Sequence, residues 1–229
     1  MKQDRKAWFR GLKGLIRIFV KKTKFVYLGE EPEGPSLILS NHVGALGPLS
    51  FELYFPYRMR FWGTYEMNGS LREVYRYQTN VYYHQKKGWN LHLARAFCLL
   101  ASPLTYLFYR GLRLISTYRD IRFKTTLNES LATLKSGQSI VIFPEDSHDG
   151  YHDRLRAFHP GALMLLRYCA KKGVDVPVYV AYFNRHNHSH LLSEPMQYAE
   201  LCTRFSSEEE TLAYLCEKCN ELGEMSKEY

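Results

Sequence analysis

Two short apolar runs constrain the fold of this chain more than any other feature. Leu37-Ile38-Leu39 stops at Ser40-Asn41-His42-Val43-Gly44, and Ser139-Ile140-Val141-Ile142 stops at Phe143-Pro144-Glu145. Uncharged runs of this length, bounded by Gly, Pro and Ser, read as strands buried on both faces, the signature of a parallel sheet. Open α/β sheets bind their ligands at the ends of the strands. A His and a Glu placed just past two such strands are therefore expected on one rim, as parts of a reaction centre.

The rest of the chain repeats the alternation. Strands are expected at 25–28, 36–40, 59–63, 112–117, 138–143 and 176–183. Helical patterns lie near 49–55, 71–77, 91–109, 120–135 and 161–172, with a last helix over about 207–225 that Ser206 or Ser207 caps ahead of Glu208, Glu209 and Glu210. Strand–helix alternation over 229 residues implies a single α/β domain, a mostly parallel central sheet flanked by helices. Residues 1–23 form an amphipathic helix, and 24–229 the α/β domain with an inserted helical lobe at about 65–110. Hydrophobic residues make up 45% of the chain, which excludes extensive disorder.

Lys and Arg exceed Asp and Glu by 31 to 23, a net charge of +8, so the favoured partners are anionic: a lipid surface, a phosphorylated substrate, an acidic carrier protein or nucleic acid. In the first helix Trp8, Leu12, Leu15, Ile16 and Phe19 recur at helical spacing, with Lys6, Arg10, Lys13, Arg17 and Lys21 towards the other side. A basic helix of this kind lies in a lipid interface or packs its apolar stripe on the domain; the almost wholly basic polar side favours lipid. The region 91–109 is a second lipid-facing element, an acyl-pocket wall or a core helix, and Ser102-Pro103 is expected to kink or divide it. Arg17 breaks the only early apolar run that a signal peptide would need, and the uncharged stretch 96–109 is below the roughly 20 residues of a membrane span. The expected location is cytoplasmic, peripheral to the inner face of the membrane.

Other clusters carry less. Five Cys, with one C-x-x-C at Cys216 and Cys219, read as free thiols, because no second pair completes a zinc site. His186, His188 and His190 alternate, but without Cys or carboxylate partners they read as a solvated loop and no metal is assigned. The Tyr-rich basic stretch 75–87 offers aromatic stacking beside Lys and Arg, yet no nucleic-acid-binding signature accompanies it. No nucleic-acid partner is expected.

From about residue 24 to 185 the chain resembles the glycerolipid acyltransferases, the lysophosphatidate acyltransferase family and its relatives, in four ordered blocks. Ser40-Asn41-His42 resembles the first block; Gly111 through Ile115 to Arg119 the second; Phe143-Pro144-Glu145 the third, followed by Arg156-Ala157-Phe158-His159-Pro160-Gly161-Ala162; and Val176-Pro177-Val178-Tyr179-Val180 the fourth. The resemblance implies that His42 acts as general base on an acceptor hydroxyl, which attacks the thioester of acyl-CoA or acyl-carrier protein. An alcohol is a poor nucleophile until its proton is accepted. It also implies that Arg119 and Glu145 position the acceptor, a lysolipid or similar hydroxyl compound. Asn41, Gly44, Phe143, Pro144 and Ser147 line the same site, and no metal or prosthetic group is required.

The pattern breaks at Gly47, where the family carries an Asp that orients the His. Loss of such a carboxylate in a hydrolase triad costs on the order of ten-thousand-fold in turnover. Glu52, five residues further, faces about 140° away on a helix and does not replace it. Asp146, in place of the family's Gly after Phe-Pro-Glu, is either the substitute carboxylate or a solvated turn residue. Gly44 and Gly47 offer backbone N–H groups for an oxyanion or phosphate ahead of Pro48, or simply make a tight turn. The alternative to an enzyme is a catalytically inactive relative that binds lipid or acyl carrier.

Overall fold

The computed structural model describes residues 5–145 and 152–229. In chain order these form α1 (Ala7–Phe19), β1 (Lys24–Tyr27), β2 (Leu37–Ser40), α2 (Leu46–Tyr54), β3 (Met59–Thr64), α3 (Tyr65–Asn68) and α4 (Leu71–Arg76). A π-helical segment (Tyr77–Lys86) leads to α5 (Leu91–Leu112), followed by β4 (Ile115–Thr117), α6 (Phe123–Lys135), β5 (Ser139–Ile142), α7 (Gly161–Lys171), β6 (Val178–Asn184), β7 (Ser189–Leu192), α8 (Tyr198–Arg204) and α9 (Glu208–Met225).

The strands make one seven-stranded sheet in the order β1-β7-β6-β2-β5-β3-β4. Every neighbouring pair is parallel except the β6–β7 hairpin. The central strands β2, β5 and β6 are buried throughout, as their unbroken apolar runs require. Period-two alternation divides them between two cores. Leu37, Leu39, Ile140, Ile142, Val178 and Val180 pack on α6, α7 and α9. Ile38, Val141, Tyr179 and Ala181 face Phe9 of α1, Phe51 of α2, Phe55 just after it and Leu112 of α5. α9 starts at the Ser207 cap, whose Oγ accepts the Glu210 N–H at 3.1 Å, and lays Cys216 and Cys219 inward as free thiols.

Three expectations are corrected. α5 is not divided at Ser102-Pro103 but runs as one helix of 22 residues. The carbonyl of Ala101 is taken by Thr105 Oγ1 at 3.0 Å, and Ser102 Oγ donates to Gln78 of the π-helical segment at 2.7 Å, so both sides of the proline are held. Next, 189–192 is a strand rather than solvated loop. Asn187 Oδ1 closes the preceding turn by accepting from the N–H and hydroxyl of Ser189, and His190 is fully buried.

Finally, α1 sits on the domain with part of its basic set facing inward. Arg5, Phe9, Lys13 and Arg17 share one stripe at spacing four. Arg5 and Lys13 pair with the buried Glu52 of α2 at 2.7 and 2.8 Å, and Arg17 donates to the carbonyl of Leu53. Phe9 lies against the backbone of Gly111, where any Cβ would occupy its ring. Charges removed from water need partners of opposite sign, and Glu52 satisfies two cations at once. The outer side of α1 is left with Trp8, Leu15, Ile18 and Phe19 exposed.

Candidate active site

Because β2 and β5 are adjacent and parallel, their carboxyl ends deliver both motifs to one rim. The Glu145 carboxylate accepts the main-chain N–H of His42 at 3.0 Å. The His42 ring meets Phe143 edge-on, centroids 4.9 Å apart. Pro144 is fixed by its carbonyl, which accepts the His159 N–H at 2.7 Å, and Glu145 forms a bridge with Phe158. The segment before α7 thus braces the second motif against the first.

Asn41 is fully buried, and its amide is engaged with β6: Nδ2 donates to the Phe183 carbonyl at 3.1 Å, and Oδ1 accepts the Phe183 N–H at 2.6 Å. Expected to touch substrate, it extends the β2–β6 ladder by one side-chain step and holds the rim in place. Beyond it the chain turns sharply, with Val43 at φ 44° and Gly44 at φ 64°. A left-handed conformation is ordinary for Gly but an outlier for β-branched Val, and such strain concentrates at functional sites.

Gly47, in the first turn of α2, is pressed against that turn. A Cβ there would collide with the His42 carbonyl oxygen and lie 3.3 Å from the carbonyl oxygen of Asn41. The position five residues after His42 therefore has no room for a side chain in this backbone. Behind it Ser50 donates to the Gly47 carbonyl at 2.7 Å and meets His190 Nε2, also at 2.7 Å. The single hydroxyl proton is used on Gly47, so His190 donates from Nε2. Its ring is stacked on Phe25 and Phe183, and burial holds it neutral, well below its ordinary pKa. The sequence does not mark Ser50 or His190 for the site; the alternation of the three His is the only signal, and without Cys or carboxylate partners it reads as a solvated loop.

The electrostatics follow from enclosure. His42 is half-buried as a residue, but its Nδ1 is sealed from solvent. Burial, reinforced by the charge of Lys86, lowers its pKa to about 4, against hydrogen bonding with the Gly44 backbone. The imidazole is therefore neutral at pH 7, the form that accepts a proton. Burial raises Glu145 to about 7, opposed by the His42 N–H and by Lys86.

Lys86 is the last residue of the π-helical segment, which the sequence marked as helical and basic without placing it over the rim. Arg119, expected to position the acceptor, lies past the end of another strand. It is exposed beyond β4, three strand spacings or roughly 14 Å from β2. Its charge is felt by Tyr77 of the lobe, and its neighbour Asp120 pairs with Arg122 at 2.7 Å. Asp146 and Ser147 lie outside the described residues.

A mostly parallel seven-stranded sheet flanked by helices matches the fold of a PlsC acyltransferase. Among solved structures the chain is similar to the crystal structure of the 1-acyl-sn-glycerophosphate (LPA) acyltransferase PlsC from Thermotoga maritima, with a TM-score of 0.53 and 16% identity over 96% of this chain and 78% of that one. No protein-family model matches the chain. No curated protein matches it either.

Proposed function

We propose that this chain is a membrane-associated O-acyltransferase. It moves a fatty acyl group from acyl-CoA or acyl-carrier protein to the hydroxyl of a lysophospholipid or related acceptor, a step of phospholipid synthesis. The observation that carries this reading is the convergence of His42 and Glu145 at the joined ends of β2 and β5. A neutral imidazole takes the acceptor's hydroxyl proton as the oxygen attacks the thioester carbonyl. The tetrahedral intermediate then expels the thiolate, which recovers the proton from the imidazolium. Glu145 holds the main chain of His42 so that the ring faces the rim. An anionic neighbour raises the basicity of an imidazole held near pKa 4, and that is the role proposed for Asp146. The test incubates the full chain with mixed acyl thioesters and a panel of lysolipids, reading products by mass spectrometry. Esterified product is expected from the parent, with a loss of about a thousand-fold or more in Asp146→Asn. Full activity in Asp146→Asn removes that residue, and acyl carrier or lipid binding without product in the parent supports the inactive-relative reading.

Membrane attachment is supported by two adjoining apolar stripes. On α5, Leu93, Phe97, Leu100, Leu104 and Leu107 are exposed along one face, while Ala94, Cys98 and Ser102 dock inward. α5 is the one helix among the described residues long and apolar enough to cross a bilayer by length and composition. Its docked face and its Arg95 and Arg110 favour a position along the membrane surface. α1 joins it through Phe9 and Phe108, centroids 5.4 Å apart. In flotation with anionic vesicles the parent is expected to bind, and Ile18→Asp with Phe19→Asp to weaken binding about 100-fold, since each buried apolar side chain contributes about 1.5–3 kcal/mol. Equal binding of parent and variant rejects this face.

A further inference from the structure

We infer that Ser50 and His190 are a positioning pair, which fixes the His42 turn for proton transfer through the backbone of Gly47 and without touching substrate. The inference deepens the reading of His42 as general base and rests on it.

A buried histidine is a costly way to fill space. His190 is fully buried among Phe25, Phe51 and Phe183, with ring centroids 4.8, 4.1 and 4.7 Å away. An apolar residue would pack in that box without taking two nitrogens out of water. Its Nδ1 has no hydrogen-bond partner among the described residues, and its Nε2 meets Ser50 Oγ at 2.7 Å. The ring's polarity is therefore used on Ser50 alone. Ser50, also buried, donates to the Gly47 carbonyl at 2.7 Å. A serine that bonds a carbonyl one turn back in its own helix is by itself a local matter. Here a residue 140 positions away locks the hydroxyl from behind and leaves it one orientation.

The pair acts where the turn needs it. Val43 holds a left-handed φ of 44°, a conformation that persists only when its surroundings over-determine it. Glu145 grips the His42 N–H, and the Asn41 amide closes on the main chain of Phe183. The remaining restraint is the His42 carbonyl, which abuts Gly47 so closely that a Cβ there has no room. Gly47 is held in turn by Ser50 and His190. Phe183 and His190 are register partners in the β6–β7 hairpin, so Asn41 and Gly47 are fastened to one cross-strand pair. Without the Ser50 link the first turn of α2 is free to shift against the His42 carbonyl. Misplacing a catalytic group by about 1 Å costs about 100-fold in rate.

The test compares the parent chain with Ser50→Ala, His190→Leu and His190→Gln. Leu and Gln both take the ring out of its aromatic box, but Gln brings an N–H donor where Leu brings none. Ser50→Ala and His190→Leu are expected to lower kcat about 10–100-fold with KM within about twofold of the parent, the mark of an interaction made only in the transition state. His190→Gln is expected to recover most of the kcat that Leu loses, although both variants unfold earlier than the parent. A second readout needs no turnover. The NMR signals of the His42 ring, assigned by their loss in His42→Ala, are expected to move in Ser50→Ala and His190→Leu and to return towards the parent in His190→Gln. Turnover that follows Tm across the set, with Gln no better than Leu, overturns the pair. So do parental kcat and unmoved His42 signals in Ser50→Ala. A parent without turnover whose His42 signals still follow the donor would sink the acyl-transfer reading and leave the positioning pair standing.

Discussion

His42→Ala is expected to lower kcat/KM for the proposed acyl transfer by about 100- to 10,000-fold, the range that a positioned general base supplies. The substitution leaves the fold almost untouched, for reasons visible at the rim. Glu145 grips the main-chain N–H of His42, and Ala keeps that donor. Ala gives up the ring's edge-on contact with Phe143, about 0.5–1.5 kcal/mol, and its hydrogen bonding with the Gly44 backbone. Activity collapses while the unfolding transition moves by only a few degrees. The pH profile gives an independent check. A group whose folded pKa is depressed keeps its neutral form until the pH falls through that lower value, so the acid limb of kcat/KM is expected near pH 4 rather than 6.5. An inflection near pH 7 belongs to Glu145 and disappears in Glu145→Gln, which retains an oxygen to accept the His42 N–H. An acid limb shifted up towards about 6.5 reports an anionic neighbour such as the one proposed in Asp146, and near-parent turnover in His42→Ala removes the imidazole from the mechanism.

Strands buried on both faces announce themselves as apolar runs, and this is why β2, β5 and β6 and the shared rim could be read from residues alone. β7 could not, because four residues headed by Ser-His are too few to show a period and too polar to look buried. Its burial depends on pairing with β1 and on Ser50, far away in the chain. The inward charges of α1 were hidden for the same reason. Lys13 looks solvent-facing until Glu52, thirty-nine positions later, is brought within 2.8 Å. The two motifs were paired correctly, but the atoms that join them were not foreseen: Glu145 reaches the His42 backbone, not its ring. The lobe was visible as helical and basic, whereas its π-helical path, which brings Tyr82 and Lys87 to Gly44, is a tertiary outcome.

Gly47→Asp, which puts a carboxylate where the resemblance implies one, is expected to destabilise the protein without raising acyl transfer. The first turn of α2 runs so close to the turn after β2 that a Cβ meets two backbone carbonyls, His42 and Asn41, and neither is a flexible side-chain tip able to move aside. Asn41 is fastened to Phe183, and Gly47 itself is tied to His190 through Ser50, so both sides of the contact resist movement. Gly47→Ala isolates the steric part. Its helix propensity gains up to about 1 kcal/mol over Gly, yet overpacking of this kind costs about 1–3 kcal/mol. Gly47→Asp adds a carboxylate in a buried position, where an uncompensated charge costs several kcal/mol more. Against a total stability of roughly 5–15 kcal/mol, that is a large fraction. For a domain of this size each kcal/mol lowers Tm by about 2–4 °C, so the order parent, Gly47→Ala, Gly47→Asp is expected in descending Tm. A Gly47→Asp protein with parental Tm and faster acyl transfer would mean that α2 yields and the site accepts an orienting carboxylate at this position. A fall in Tm without any gain in transfer means that the docking of α2 excludes a side chain at this position, and leaves Asp146→Asn to decide whether any carboxylate serves His42.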